Sequence, residues 1–168
     1  GHNCVLQPDL NIDELDSVLA EYDVLVVRST QVTKKAIEAG KSLKMIIRAG
    51  TGTNTIDKDA AAARGIYVCN VPGRNAAAVA ELAIGLLIAI DRNIPDNVKA
   101  LRQGKWNKKR FSVAVGLKGR RMGVVGLGAI GLEVLERAHA FGLELYVIER
   151  PNRWRETHDR LVRIGGIK

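Results

Sequence analysis

Three glycines at a fixed spacing are the residues of this chain that most directly suggest chemistry. The motif Gly126-Leu127-Gly128-Ala129-Ile130-Gly131 follows an apolar run at residues 122–125 and opens a stretch with helical periodicity. In such a turn the first glycine permits the tight bend, the second lets the backbone approach a pyrophosphate, and the third lets helix and strand pack closely. Backbone N–H groups at the helix N-terminus add an anion site. This context predicts a dinucleotide-binding site, and a glycine-rich turn without a ligand is the alternative.

An acidic residue at the end of a second apolar run extends the pattern. Glu149 follows residues 145–148, at the distance from the glycines where a carboxylate hydrogen-bonds the adenosine ribose. A carboxylate there rejects a 2′-phosphate and favours NAD, whereas the neighbouring Arg150 could accommodate NADP. We therefore predict NAD as the cofactor. The predicted binding residues are Gly126, Gly128, Ala129, Ile130, Gly131 and Glu149.

Several separate blocks stand in the order found in D-2-hydroxyacid dehydrogenases. These blocks are residues 48–54 (RAGTGTN), 64–66 (RGI), 71–72 (VP), Asn75, 79–82 (VAEL) and 104–106 (GKW). The chain resembles that family from His2 to Glu149, most of all its phosphoglycerate dehydrogenase branch, and the likeness fades after Pro151. The resemblance implies an α/β chain: a partial flavodoxin-like substrate domain followed by the start of a Rossmann nucleotide-binding domain. It also implies NAD-dependent oxidation of a small 2-hydroxyacid, 3-phosphoglycerate in serine biosynthesis.

The resemblance also implies roles for residues that follow predicted strands. The backbone amides around Gly50 and Gly52 would hold the substrate carboxylate, and Thr51 would touch the cofactor. Arg28 and Ser29 would contact a substrate phosphate, for which a guanidinium fork is suited. An ordinary turn and a surface arginine are the alternatives at these two places. Asn75 matches a substrate-cleft asparagine, although Ala78 stands where the family has serine.

No catalytic residue is predicted. Hydride transfer from a hydroxyacid needs a general base and a cation for the carboxylate. In the family these groups lie downstream of the matched region, so His2, His139 and His158 are given no role. The resemblance further implies that the chain is a fragment, cut at both ends and without dehydrogenase activity of its own.

Composition narrows the class of protein. The longest apolar stretch, residues 82–90, is shorter than a membrane span, and two cysteines, Cys4 and Cys69, favour a reducing cytoplasm. The net charge of +8 is concentrated in residues 99–121, which hold nine Lys or Arg and no acid. Aromatic residues are sparse there, so we expect a solvated basic face and not a nucleic-acid site. A nucleic-acid-associated protein and a non-catalytic NAD-binding sensor or corepressor-like protein are the rival functions.

The predicted elements alternate between strands and helices. Short apolar strands at residues 4–6, 24–27, 45–47 and 67–69 favour a parallel sheet covered on both faces. Asp57 is predicted to cap a helix. Residues 76–91 are predicted to form a helix that is buried on several sides. The expected domains are 1–72 for substrate, 73–98 as a linking helix, 99–151 for NAD and 152–168 as an unassigned basic tail. The chain offers too little surface to cover helix 76–91 and leaves an open strand edge at 145–148, and both features predict a homodimer.

Overall fold

The first part of the chain alternates short helices with short parallel strands. The computed structural model describes residues 1–148 and 155–168, which form two compact units, Gly1–Arg74 and Asn75–Lys168. The helices of the first unit are α1 Ile12–Val18, followed by a 3-10 turn Leu19–Glu21, α2 Lys34–Ala39 and α3 Lys58–Ala63. Its strands are β1 Val24–Val27, β2 Met45–Arg48 and β3 Tyr67–Asn70. They pair in parallel in the order β1-β2-β3, which confirms the predicted α/β class.

Side-chain caps fix where two helices of the first unit begin. The Thr33 hydroxyl accepts a hydrogen bond from the Ala36 N–H at 3.3 Å, and the Asp57 carboxylate accepts one from the Ala60 N–H at 2.9 Å. Each cap satisfies a donor that has no partner inside the helix. The cap predicted at Asp57 is confirmed.

Helices α1 to α3 cover one face of the first sheet. Val27 and Ile46 are buried in a core with Leu15 and Ile37. On the opposite face Val26 is 62% exposed, and the described residues do not cover it. The prediction of a sheet covered on both faces is therefore met on one face only within the described chain.

The predicted strand at residues 4–6 is wrong. These residues form no strand, and Leu6 is 88% exposed. A strand needs both a ladder partner and an apolar face to bury. Three apolar residues supply neither by themselves.

The second unit is built around a helix-flanked pair of parallel strands. Its elements are α4 Ala76–Asp91, α5 Ile94–Arg102, α6 Lys108–Phe111, β4 Arg121–Val124, α7 Ala129–Ala140, β5 Glu144–Val147 and α8 Arg155–Ile164. Strands β4 and β5 pair in parallel with α7 between them, the βαβ arrangement that opens a Rossmann domain. The predicted bounds of α4 are confirmed.

Helix α4 buries a narrow face rather than several sides. Ala80 and Ile84 lie in a core with Leu132 and Leu135 of α7. A stripe on the other side of α4 is exposed, and it consists of Leu82 (62%), Leu86 (54%) and Ile90 (73%). The expectation of burial on several sides is therefore met on one side only within the described chain, where α7 packs against this helix.

The C-terminal residues 155–168 pack against the rest of the second unit. Leu161 of α8 enters the core, and Ile167 forms a parallel bridge with Leu145. The Val147 N–H donates to the Lys168 carbonyl at 2.9 Å, and the Lys168 N–H donates to the Leu145 carbonyl at 2.8 Å. The edge of β5 that was predicted to be open is therefore paired at this point.

Candidate functional site

The glycine motif forms the turn between β4 and α7. Gly126 has a φ of +101°, a conformation that side-chain-bearing residues rarely adopt. Gly128 is the N-cap of α7, with φ −78° and ψ −172°. Gly128, Ala129 and Ile130 are all exposed, and a Cβ on Gly128 would meet no atom within 4 Å. The backbone of this turn is accessible to a ligand.

The third glycine of the motif lies where helix and strand approach each other. A Cβ on Gly131 would lie 2.0 Å from the Gly126 carbonyl oxygen and 3.6 Å from Cγ1 of Val124. No residue with a side chain fits this position unless the backbone moves. The close approach holds the start of α7 against the end of β4.

The N-terminus of α7 is suited to an anion. No side chain caps it, and its first turn carries no acidic residue. The first N–H groups of a helix lack intrahelical partners, and the helix dipole makes this end partly positive. Residues 128–131 can therefore bind a pyrophosphate group through backbone N–H groups.

The predicted ribose-binding acid lies outside the described residues. Strand β5 ends at Val147, and Ile148 is 54% exposed. Glu149, with its neighbour Arg150, falls in the gap between residues 148 and 155. Its role stays a prediction.

A second group of predicted residues gathers at the carboxyl ends of β1 and β2. Arg28 and Ser29 directly follow β1, and the last residue of β2, Arg48, pairs in register with Val27. The loop after β2 contains Gly50, Thr51 and Gly52. The Nη1 atoms of Arg28 and Arg48 lie 2.7 Å and 2.8 Å from the point that a Cβ on Gly50 would occupy. Two guanidinium groups thus converge on this loop.

These two positive charges have no carboxylate partner among the described residues. The ion pairs of residues 1–148 and 155–168 include neither Arg28 nor Arg48. The Nε of Arg48 is also buried without a hydrogen-bond partner. Adjacent like charges repel, and an oxyanion between them would remove that cost and satisfy their N–H donors. The strand ends of the first unit form a candidate oxyanion site.

Asn75 belongs to the second unit. It is the N-cap residue of α4, with φ −101° and ψ 7°, and its side chain does not cap that helix. The predicted substrate residues Arg28, Ser29, Gly50 and Gly52 share one sheet end with Thr51. Asn75 and the glycine motif lie in the other unit. The predicted site residues therefore form two sets, one in each unit.

Arg48 and Asn70 lie at the same sheet end but were not predicted as site residues. Arg48 stands at the end of β2 just as Arg28 follows β1. Asn70, the last residue of β3, donates a hydrogen bond from Nδ2 to the Thr51 carbonyl at 2.5 Å. Counting polar residues at the ends of all three predicted strands would have identified both.

None of the three histidines belongs to either set of residues. His139 is near the C-terminus of α7, at the opposite end of that helix from the glycine motif. His2 lies in the exposed N-terminal segment, and His158 in α8. The described residues contain no group of three His, Cys, Asp or Glu that could hold a metal ion. No described helix has the length and apolar character needed to cross a membrane.

Comparisons with known proteins agree on one family. The family model described as D-isomer specific 2-hydroxyacid dehydrogenase, catalytic domain, matches residues 1–164, which extends past residue 151, where the resemblance was expected to fade. The chain is 46% identical over 137 residues to D-3-phosphoglycerate dehydrogenase of Methanocaldococcus jannaschii, covering 81% of this chain and 26% of that protein. It is 48% identical over 142 residues to hydroxypyruvate reductase of Thermotoga maritima, covering 84% and 46%.

Solved structures show the same likeness. NAD-dependent formate dehydrogenase from Staphylococcus aureus, in complex with NAD, matches with a TM-score of 0.76 and 31% identity, covering 83% of this chain and 44% of that one. The chain thus spans between a quarter and a half of the length of these proteins.

Proposed function

Since this chain belongs to the D-isomer specific 2-hydroxyacid dehydrogenase family, we propose that it supplies the substrate-anion site and the start of the NAD site of an enzyme that oxidises 3-phosphoglycerate. The single observation that carries the cofactor assignment is the fit of Gly131 against the Gly126 carbonyl. This contact supports the proposal of a pyrophosphate site at the N-terminus of α7. The cytoplasmic location and the four-part domain division stay predictions.

In the proposed reaction this chain binds and orients the substrate anion. NAD, when bound, would supply the acceptor for the hydride at C2 of the hydroxyacid; loss of that hydride and of the hydroxyl proton to a base would leave a 2-oxoacid. In this chain Arg28 and Arg48 bind the substrate anion and hold it in orientation. The amides of the loop after β2 hold its carboxylate. We assign the role of this base to none of the described residues.

The pair of arginines supports a phosphorylated substrate. One guanidinium suffices for a carboxylate, whereas a phosphate dianion can accept hydrogen bonds from two. Relatives of both kinds exist: the M. jannaschii protein is named for a phosphorylated acid and the T. maritima protein for an unphosphorylated one. Arg28 and Arg48 converge and have no carboxylate partner among the described residues, which favours the former.

Calorimetry with NAD tests the cofactor site. We expect Gly128→Val to abolish binding, because the side chain would occupy the approach of the pyrophosphate. The fold should tolerate this change, because the space around Gly128 is open and its φ is −78°. Gly85→Ala, on the exposed side of α4, is the matched control and should bind as the parent does. Equal binding by Gly128→Val and the parent would refute the assignment.

Calorimetry with two acids tests the substrate class. We expect 3-phosphoglycerate to bind more tightly than D-glycerate, and Arg48→Gln to weaken 3-phosphoglycerate binding about tenfold or more, since a hydrogen bond to a charged group contributes about 1.5–3 kcal/mol. D-glycerate should be affected less. Equal affinities for the two acids would argue against the phosphate, and binding of NAD with neither acid would favour the non-catalytic NAD-binding alternative.

A further inference from the structure

The loop after β2 is held from one side by the end of β3. The Asn70 amide donates to the Thr51 carbonyl at 2.5 Å, and the next residue, Val71, donates its backbone N–H to the Gly50 carbonyl at 3.0 Å. Two successive carbonyls of the loop are therefore directed toward β3. The backbone bond is available to any non-proline residue, whereas the other bond depends on the side chain of Asn70.

Peptide geometry converts this restraint into an orientation of donors. In a planar trans peptide the C=O and the following N–H point in opposite directions. The N–H groups of Thr51 and Gly52 are therefore directed away from β3. Because β2 lies between β3 and β1, that direction is the side of the sheet on which Arg28 follows β1. Backbone donors and guanidinium groups are thereby directed toward a common region.

We propose that Asn70 is a positioning residue that orients the Thr51–Gly52 amides toward the carboxylate of the substrate. This inference rests on the proposed function. Asparagine suits the task because its amide donates to a carbonyl without adding charge. An aspartate of the same shape would accept rather than donate, and its negative charge would lie beside the anion site. Asn70 is itself exposed, so its replacement should affect the loop more than the core.

The test uses Asn70→Ala and Asn70→Asp in the 168-residue chain. Tyr67→Phe, an exposed residue at the other end of β3, is the matched control. We expect 3-phosphoglycerate to bind about tenfold more weakly to Asn70→Ala, the effect of losing about one hydrogen bond, and more weakly still to Asn70→Asp. Hydrogen exchange of the Thr51 and Gly52 amides, followed by NMR, should become faster in both variants. NAD affinity and melting temperature should match those of the control.

Unchanged exchange rates together with unchanged affinity would overturn the positioning role. A lowered melting temperature with parental exchange at Thr51 and Gly52 would also overturn it, because Asn70 would then support the fold and not the loop. If the parent chain binds neither 3-phosphoglycerate nor D-glycerate, the proposed function fails. The exchange rates would still decide whether Asn70 orders the loop.

Discussion

Replacing Gly131 with alanine tests the contact that assembles the glycine turn. The new Cβ would lie 2.0 Å from the Gly126 carbonyl oxygen, whereas ordinary contact begins near 3.4 Å, so backbone must move by about 1.4 Å. Helix α7 cannot move freely, because Leu135 and Ala138 on its inner face are fully buried. Overpacking of a filled site costs about 1–3 kcal/mol. We expect the free energy of unfolding of the second unit to fall by that amount and NAD binding to weaken.

Tryptophan fluorescence isolates the unit concerned, because both tryptophans, Trp106 and Trp154, lie in residues 75–168. Urea unfolding then gives the change in free energy from the midpoint at constant slope. Gly128→Ala is the control that retains stability, since its Cβ meets no neighbour. Gly85→Ala should stabilise by about 0.5–1 kcal/mol, as expected for an exposed helix interior. A Gly131→Ala variant with the parental midpoint would show that the turn does not need this close approach.

Three further predictions follow from the second unit. Hydrogen bonds from Arg137 and Arg160 hold the pKa of Glu133 below its ordinary value of 4.5. The stability that this carboxylate contributes is therefore complete above pH 4.5 and is lost as the pH falls through the lowered pKa. Urea midpoints at pH 7 and pH 3 should show that the parent is more stable than Glu133→Gln at pH 7 and loses that advantage at pH 3. The exposed apolar stripe of α4, formed by Leu82, Leu86 and Ile90, should make the isolated chain dimerise or associate. In light scattering Leu86→Glu should shift the chain toward a monomer, and a monodisperse monomer of the parent would contradict this. Leu161→Ala should lower the free energy of unfolding of the second unit by about 2–5 kcal/mol, because Leu161 of α8 is buried in its core; an unchanged urea midpoint would contradict this.

Local patterns predict the elements whose signals lie within a few residues. Strand β1 and helix α4 have the predicted bounds because each is an apolar run ended by polar residues or by a proline-glycine turn. The glycine motif was predictable for the same reason. Its requirements are a strand, a turn and a helix that follow one another directly.

Properties that depend on the register between distant strands were not predicted. Arg48 meets Arg28 only because β1 and β2 pair with Val27 opposite Arg48. Asn70 reaches Thr51 only because β3 lies on the other side of β2. The strand predicted at residues 4–6 failed for the related reason that three apolar residues do not identify a partner.

The basic charge of the chain is partly used within the fold. Arg160 of α8 binds Glu133 at 3.0 Å and Glu136 at 2.6 Å on α7, and Lys168 lies 3.4 Å from Glu144 on β5. Two arginines of the basic stretch 99–121 likewise form ion pairs with acidic residues that precede the stretch: Arg110 pairs with Asp96, and Arg120 with Asp91. Such pairs hold the C-terminal helix and the segment before β4 against their neighbours. An excess of positive charge that is partly neutralised in this way does not by itself require a nucleic-acid partner. We therefore expect no binding of mixed-sequence DNA at physiological salt, and binding whose affinity falls steeply as salt is raised would instead favour the nucleic-acid-associated alternative.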